Sequence, residues 1–394
     1  MRIVFVDIQN SNVFLIRELH TIIFRDRIPI KYTHIFQELL KRDDVEVCNY
    51  ITSKGSSICS QCGVRIRIPK WISLVEYKIA ACLNGIESGK IRTITKKEEI
   101  KEDDIIITFI HAFASFAEVS LLKGKKFVHL NQYNFHPISL IKDNKFGVTG
   151  YIVEADLLKH RGLLTDNCFE PYPRMLILPF CVGNRFERIK CFFNRKNKAI
   201  AIGTLGMCKY PDFTNYYNTE YLQPMRRIIY ENSTNLSEYL DSYIYPYIEY
   251  KNKYLGVSTK NIFIRLYKLF FSLTHPKQKK YFSFNIVDKF NDYRMSIVGE
   301  EVIGLPAIAA FESMACGCAL LALDHDMYRD LGMIPGIHYI AYDGTLESLK
   351  EKITYYQSAP NELEKIAENG YNFTHNNLNA KVIVERFIKQ LRKL

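Results

Sequence analysis

Glu312 is the one acid in a run of apolar and small residues, Gly304-Leu-Pro-Ala-Ile-Ala-Ala-Phe-Glu312-Ser-Met-Ala-Cys-Gly317-Cys-Ala-Leu-Leu. The run predicts a glycine turn, a short helix, a glycine stop and a buried strand. Pro306 suits the first turn of a helix, where its missing N–H is not needed. Gly317 falls where a left-handed cap is expected. Cys318 to Leu323 run apolar, as a buried parallel strand does. An acid buried there without a partner is costly. A pair of ligand hydroxyls is one such partner; a solvent-facing position on an ordinary helix is the plain alternative. A second candidate is His111, which follows the strand-like run Asp104–Ile110. The ends of parallel strands are where α/β sheets place ligand sites. A histidine there can act as a base on a hydroxyl or serve packing alone. His129 and His136, on either side of Asn131, are alternates, and Glu154 and Asp156 are weaker base candidates.

The Glu312-Ser-Met-Ala-Cys-Gly317 run resembles the donor-site signature of group 1 glycosyltransferases, enzymes of the GT-B fold that use nucleotide-activated sugars. The resemblance implies that Glu312 holds the ribose hydroxyls of the donor. It also implies that Gly304, Leu305, Pro306 and Ala307 bring the N–H groups and positive dipole of a helix N-terminus to the diphosphate. Ala199-Ile-Ala-Ile-Gly203-Thr-Leu-Gly-Met-Cys-Lys209 is a strand, a glycine turn and a lysine. The family often carries Gly-Arg-Leu at this place and a lysine at the spacing of Lys209. Thr204 stands where that arginine would be, so Lys289 or Arg294 is expected to supply the missing charge. Stabilising the departing diphosphate is the main electrostatic task of such a reaction, which gives Lys209 a catalytic part beside His111. The family's first glutamate falls on Gly304 here; one of Glu300 and Glu301, just upstream, is expected to fill its role. Asn10 and Asn12, after the first strand, join His129, Asn131 and His136 on the acceptor side. The segments Gly336-Ile-His-Tyr-Ile-Ala-Tyr-Asp343 and Ile366-Ala-Glu-Asn-Gly-Tyr371 are similar to the spore-maturation-type subfamily.

Around these residues, strand-like and helix-like segments alternate, the pattern of an α/β protein. At 394 residues two domains are expected. With the resemblance, the reading is GT-B: two Rossmann-like domains facing across a cleft. Residues 1–183 form an acceptor-side domain and 184–378 a nucleotide-sugar-binding domain. Residues 379–394 form a helix that packs back toward the first. Predicted strands include Ile3–Asp7, Lys126–Leu130, Gly150–Val153, Leu176–Pro179, Lys198–Ile202, Ser296–Val298 and Ala319–Leu323. Thr345–Tyr356 and Glu362–Asn369 are predicted helices. The linker near 180–197 carries Arg188, Lys190, Arg195, Lys196 and Lys198.

The chain is 47% hydrophobic and carries 53 basic against 42 acidic residues, a net charge of +11. That charge suits an anionic ligand, an anionic membrane face or nucleic acid. No nucleic-acid-binding signature supports the last, so no nucleic-acid partner is expected. The expected partners are a nucleotide sugar and a glycan or lipid-linked acceptor at an anionic membrane surface. Thr259–Leu273 is an amphipathic candidate for that surface, with Ile262, Leu266, Leu269, Phe270 and Leu273 on one helical face; core packing is the alternative. No apolar run is long enough to span a bilayer, and the N-terminus does not resemble a signal peptide. Ten scattered cysteines suit a reducing compartment. The reading is cytoplasmic, peripheral at the inner face of the membrane. Cys59-Ser-Gln-Cys62, with Cys48 and Cys82, leaves a structural zinc as the lesser alternative to free thiols. No cofactor beyond the donor and no catalytic metal are expected. The activity expected is sugar transfer to an acceptor hydroxyl in cell-surface polysaccharide or glycoconjugate synthesis. The alternative is a non-catalytic nucleotide- or glycan-binding subunit of a glycosylation complex.

Overall fold

The computed structural model describes residues 1–8, 32–52, 70–83, 85–109, 116–130, 147–156, 174–208, 211–246 and 284–394, with single positions at 159, 160, 162, 163, 166, 263, 266, 267 and 270. The first half supplies β1 (Arg2–Val6), α1 (Thr33–Leu39), β2 (Glu46–Tyr50), α2 (Lys70–Leu83), β3 (Ile91–Ile94), β4 (Ile105–Phe109), α3 (Phe116–Val119), β5 (Lys125–His129), β6 (Gly150–Val153) and β7 (Arg174–Ile177). These strands form one parallel sheet in the order β3-β2-β1-β4-β5-β6-β7. Ile3, Val4, Phe5 and Val6 are all fully buried. That continuous burial is what a parallel strand covered on both faces requires. One face carries the core of Ile3, Phe5, Ile35, Phe36 and Tyr77. The other carries Val4, Val6, Cys48, Ile106 and Leu122.

The second half supplies β8 (Lys196–Leu205), α4 (Pro211–Tyr217), α5 (Pro224–Glu231), β9 (Leu240–Pro246), α6 (Ile286–Asn291), β10 (Tyr293–Ile297), α7 (Ile308–Ala315), β11 (Ala319–Leu323), α8 (Asp326–Asp330) and β12 (Ile340–Tyr342), followed by α9 (Leu346–Ser358), α10 (Pro360–Asn377) and α11 (Ala380–Leu391). Its parallel sheet has the order β12-β11-β10-β8-β9. Both orders reverse once, between β1 and β4 and between β8 and β10. In doubly wound sheets ligands bind at the carboxyl ends of the strands that flank such a reversal.

The last helix returns to the first sheet. Ile383, Val384, Phe387, Ile388 and Leu391 share a core with Ile3, Phe5, Ile35 and Phe36. The Gln390 side chain closes on the edge strand. Its Oε1 accepts from Ile177 N and its Nε2 donates to Ile177 O, each at 2.8 Å. The two halves also meet through Leu305 and Met327, which pack with Val128, Leu130, Tyr151 and Val153.

Two details differ from the sequence expectations. Pro306 precedes its helix instead of opening it, since α7 starts at Ile308 with Ala307 as N-cap. The helix expected to end at Asn369 runs through Gly370 to Asn377. There a Cβ would lie 2.8 Å from His338 O and 3.0 Å from Met314 Cε, so the missing side chain lets α10 sit close against its neighbours. Cys48 and Cys82 are both free, as the favoured reading has them, and the lesser zinc alternative does not bring these two together. Cys48 is buried in the sheet core away from α2, where burial pushes its thiol up to about 12, whereas Cys82 is exposed on α2. Cys59 and Cys62 lie outside the described residues.

Candidate active site

Glu312 is 6% exposed, on the second turn of α7. Its charge reaches the interdomain segment: the Cys181 thiol is pushed up to about 12, first by burial and in smaller part by Glu312. Ala307 contributes no side-chain cap at the start of the helix. The loop before it is tightly wound, with Gly304 N donating to Glu301 O at 2.7 Å and Glu301 N to Leu305 O at 2.9 Å. Gly304 has φ +83, and a Cβ there would lie 2.6 Å from Nε2 of His325. Glycine is therefore required twice over, by the backbone and by the imidazole. Leu305 and Ile308 both pack against the first half of the chain, so this loop is part of the cleft wall. Gly317 ends the helix at φ +81, as a left-handed cap does.

Arg226 occupies the reversal point of the second sheet. Its Nε donates to Val298 O at 2.6 Å and its Nη1 to Thr204 O at 3.2 Å, so it spans the carboxyl ends of β10 and β8. It is 9% exposed. Two glycines make the room. A Cβ on Gly203 would lie 2.7 Å from Arg226 Nε, and one on Gly299, at φ +70, would lie 2.9 Å from Arg226 Cγ. Thr204 thus offers a backbone carbonyl to an arginine that comes from α5. Sequence reading missed Arg226; its signals are the glycines at the two strand ends and Pro224 opening α5.

Beside it lies Glu300, 4% exposed. Its Oε1 accepts from Tyr328 OH at 2.6 Å and Leu323 N at 3.0 Å, while Oε2 has no hydrogen-bond partner. Burial raises its pKa above the ordinary carboxylate value; the Tyr328 and Leu323 bonds and then the Arg226 charge oppose that rise. Glu301, the other acid expected in this role, sits at the turn and is only partly buried.

The other expected cations lie elsewhere. Arg294 is the second residue of β10, at its amino end, where it donates to the carbonyls of Phe192 (3.3 Å) and Phe193 (2.9 Å). Lys289 lies in α6, which leads into that same amino end, and its Nζ donates to Tyr243 OH at 3.1 Å. Neither reaches the carboxyl ends of β8 and β10, where Gly203 and Gly299 lie against Arg226. Lys209, His111, Asn10, Asn12, Asn131 and His136 lie outside the described residues. His129 ends β5, fully buried, with its ring edge-on to Tyr32 at 5.2 Å. It belongs to the packing beneath the carboxyl edge of the first sheet. Tyr32 OH donates to Leu178 O at 3.1 Å and contacts the buried Glu154 at 3.3 Å. At the end of β1, Asp7 takes φ +47 and accepts from Thr52 N at 3.0 Å and Thr52 Oγ1 at 2.6 Å.

Across the cleft, Lys159 and His160 pair with Asp330, and the His160 ring stands 5.7 Å from that of His325. Tyr217 OH accepts from Leu163 N at 2.9 Å. The Asp324-His325-Asp326 triplet after β11 has the spacing of a metal-binding pair of aspartates, which sequence reading passed over. Both carboxylates are engaged by Arg329, Asp326 at 3.2 Å. Among the described residues, no group of three acids, histidines or cysteines is placed to hold a metal ion.

Comparison with known proteins bears on the fold. A family model described as glycosyl transferase-like matches residues 284–389, the segment that contains Glu312. The fold resembles that of HepE from Anabaena, solved in complex with UDP-glucose, at TM-score 0.55 and 10% identity over 100% of both chains. It also resembles a glycosyltransferase from Rickettsia africae, at TM-score 0.51 and 11% identity over 100% of this chain and 98% of that one. No curated protein matches the sequence. A glycosyl transferase-like segment around the helix of Glu312, set in two facing Rossmann-like sheets, gives the chain the GT-B fold.

Proposed function

We propose that the protein moves a sugar from a nucleotide-sugar donor to an acceptor hydroxyl, with Glu312 on the donor ribose and Arg226 on its diphosphate. The observation that carries this reading is Arg226 spanning the carboxyl ends of β10 and β8, with α7, the helix of Glu312, following β10. The UDP-glucose bound by HepE supports a nucleotide-sugar donor. In the transfer the bond between the anomeric carbon and the diphosphate oxygen breaks, and the acceptor oxygen bonds to that carbon. Negative charge accumulates on the departing diphosphate, where preorganised cations and N–H groups lower the barrier most. Arg226 and Lys209 are assigned that task, with the N-terminus of α7 adding its dipole. His111 is assigned the acceptor proton.

The acceptor side belongs to the first sheet, and the product is a cell-surface polysaccharide or glycoconjugate. A position at the inner face of an anionic membrane completes the reading. It is supported by Phe263, Leu266, Tyr267 and Phe270, which are 43–77% exposed at helical spacing. No helix among the described residues is long and apolar enough to cross a membrane.

The test is nucleotide release from a panel of sugar nucleotides, comparing the wild type with Glu312→Ala and Arg226→Ala. Release from one donor, lost in both variants while circular dichroism is unchanged, is the expected result. Undiminished release in Glu312→Ala would remove the proposed donor site.

A further inference from the structure

The loop 301–305, between β10 and α7, is neither strand nor helix, and it leads into the helix N-terminus assigned to the donor diphosphate. Ordering such a loop costs conformational entropy, which contacts must offset. From the second half, Val302 N donates to Leu222 O at 2.8 Å, and the His325 ring fills the place of a side chain on Gly304. The first half reaches the same loop. Leu305 packs among Val128, Leu130, Tyr151 and Val153. Val302 packs against a small core in which Leu163, 5% exposed, meets Cys208 and Phe213. Behind His325, at 5.7 Å between ring centres, stands His160. His160 and Leu163 both belong to the connection from β6 to β7. That connection is tied to the second half on either side of the loop. Leu163 N donates to Tyr217 OH at 2.9 Å, and Tyr216 OH bonds Asp166. Lys159 and His160 pair with Asp330 of α8, the helix that His325 caps.

We propose that Leu163 and His160 are positioning residues for the donor: they reach across from the first half and hold the loop 301–305, Leu163 through Val302 and His160 through His325. Donor affinity in the second half then depends on a connection that belongs to the first. This rests on the donor-site reading above and deepens it. The two grips differ in kind. Leu163 is an apolar contact removed from water, so its loss is felt in full. The Asp330 side chain is 28% exposed, and an ion pair open to solvent contributes little alone. Leu163 therefore carries the larger share, and Asp330 sets the angle at which α8 presents His325 to Gly304.

The test compares the full protein with Leu163→Ala, Asp330→Asn and Glu312→Ala. Asp326→Asn is the control, since Asp326 pairs with Arg329 on its own helix. The first measurement needs no ligand: hydrogen exchange of peptides spanning 301–308. Exchange there is expected to rise at least about tenfold in Leu163→Ala, while peptides from β8 and β11 exchange as in the wild type. The second is UDP-glucose affinity by calorimetry. It is expected to fall about tenfold in Leu163→Ala and about two- to fivefold in Asp330→Asn, and to hold in Asp326→Asn. The charge swap Lys159→Asp/Asp330→Lys should recover most of what Asp330→Lys alone loses. In UDP release the loss should fall on KM and spare kcat, because the loop is in place before the bond breaks. Unchanged exchange at 301–308 in Leu163→Ala overturns the inference, whatever binds. Faster exchange with undiminished UDP-glucose affinity overturns it too, and leaves the donor reading standing. UDP-glucose binding that is absent from the wild type, or that survives Glu312→Ala, overturns the donor reading and this inference with it.

Discussion

The guanidinium of Arg226 occupies the space that a side chain at Gly203 would need, with only 2.7 Å between Nε and a Cβ built on that glycine. The two residues are therefore one device, and a methyl group at 203 must push Arg226 off the ends of β8 and β10. Gly203→Ala is expected to slow transfer by roughly 100-fold, the usual effect of losing one charge-stabilising donor. Arg226→Ala should match it in rate and also cost about 1–3 kcal/mol of stability, because the carbonyls of Val298 and Thr204 lose their donor. Steady-state kinetics beside thermal melts check both. A Gly203→Ala enzyme with full activity would contradict the assignment.

Glu312 is expected to act on binding. Removing a carboxylate that accepts two ligand hydroxyls is worth roughly 10- to 100-fold in kcat/KM. Glu312→Ala should therefore raise the donor KM and leave the melting temperature within a few degrees of the wild type. A fall in kcat alone, at constant KM, would place Glu312 away from the ribose.

Glu300 makes stability depend on pH in a definite direction. Its folded-state pKa is raised from 4.5 by burial. The folded chain then holds the proton more tightly than the unfolded chain does. Stability from this group is greatest at low pH and falls as pH climbs from 4.5 through the raised folded value. Glu300→Gln, which cannot ionise, should flatten that decline in urea melts taken at a series of pH values. A slope unchanged by the substitution would show that another group sets it.

The thiols divide by exposure. Cys82 and Cys191 are exposed, whereas Cys48, Cys181, Cys208, Cys316 and Cys318 are buried. Burial pushes the thiols of Cys48, Cys181 and Cys318 up to about 12, where thiolate is scarce at neutral pH. Iodoacetamide on the native protein should label Cys82 and Cys191 within minutes. The buried five should react only after denaturation, as read by peptide mass spectrometry.

What was legible in the sequence was local. The helix of Glu312 announces itself through contiguous small residues and ends on Gly317, so helix, cap and following strand lie within one short stretch. The parallel strands Gly150–Val153 and Ala319–Leu323 are unbroken apolar runs, and both stand where the sequence puts them. Arg226 was illegible because its partners are Val298, 72 residues on, and Thr204, 22 residues back. Pro224 marks where α5 starts, but it does not mark Arg226 off from its exposed neighbour Arg227. Two edge-side strands escaped for another reason. Glu46–Tyr50 and Leu240–Pro246 mix charged, polar and aromatic residues without a clean alternation. Helix α2 escaped because apolar residues on both faces erase the period that reveals an amphipathic helix.

The return of α11 to the first sheet sets an order of events during synthesis. The core of the first half contains Ile3 and Phe5 from the start of the chain, together with Phe387 and Leu391 from residues 380–391. While the ribosome is still making the second sheet, that core is short of one wall, and the edge strand at Ile177 has no Gln390 to cover it. The second sheet likewise takes Leu363, Phe373 and Leu378 into its cores, so neither half closes until the chain is nearly made. The first half of the chain thus waits for its last helix, and its unfinished edge is the surface that a chaperone would need to shield in the interval.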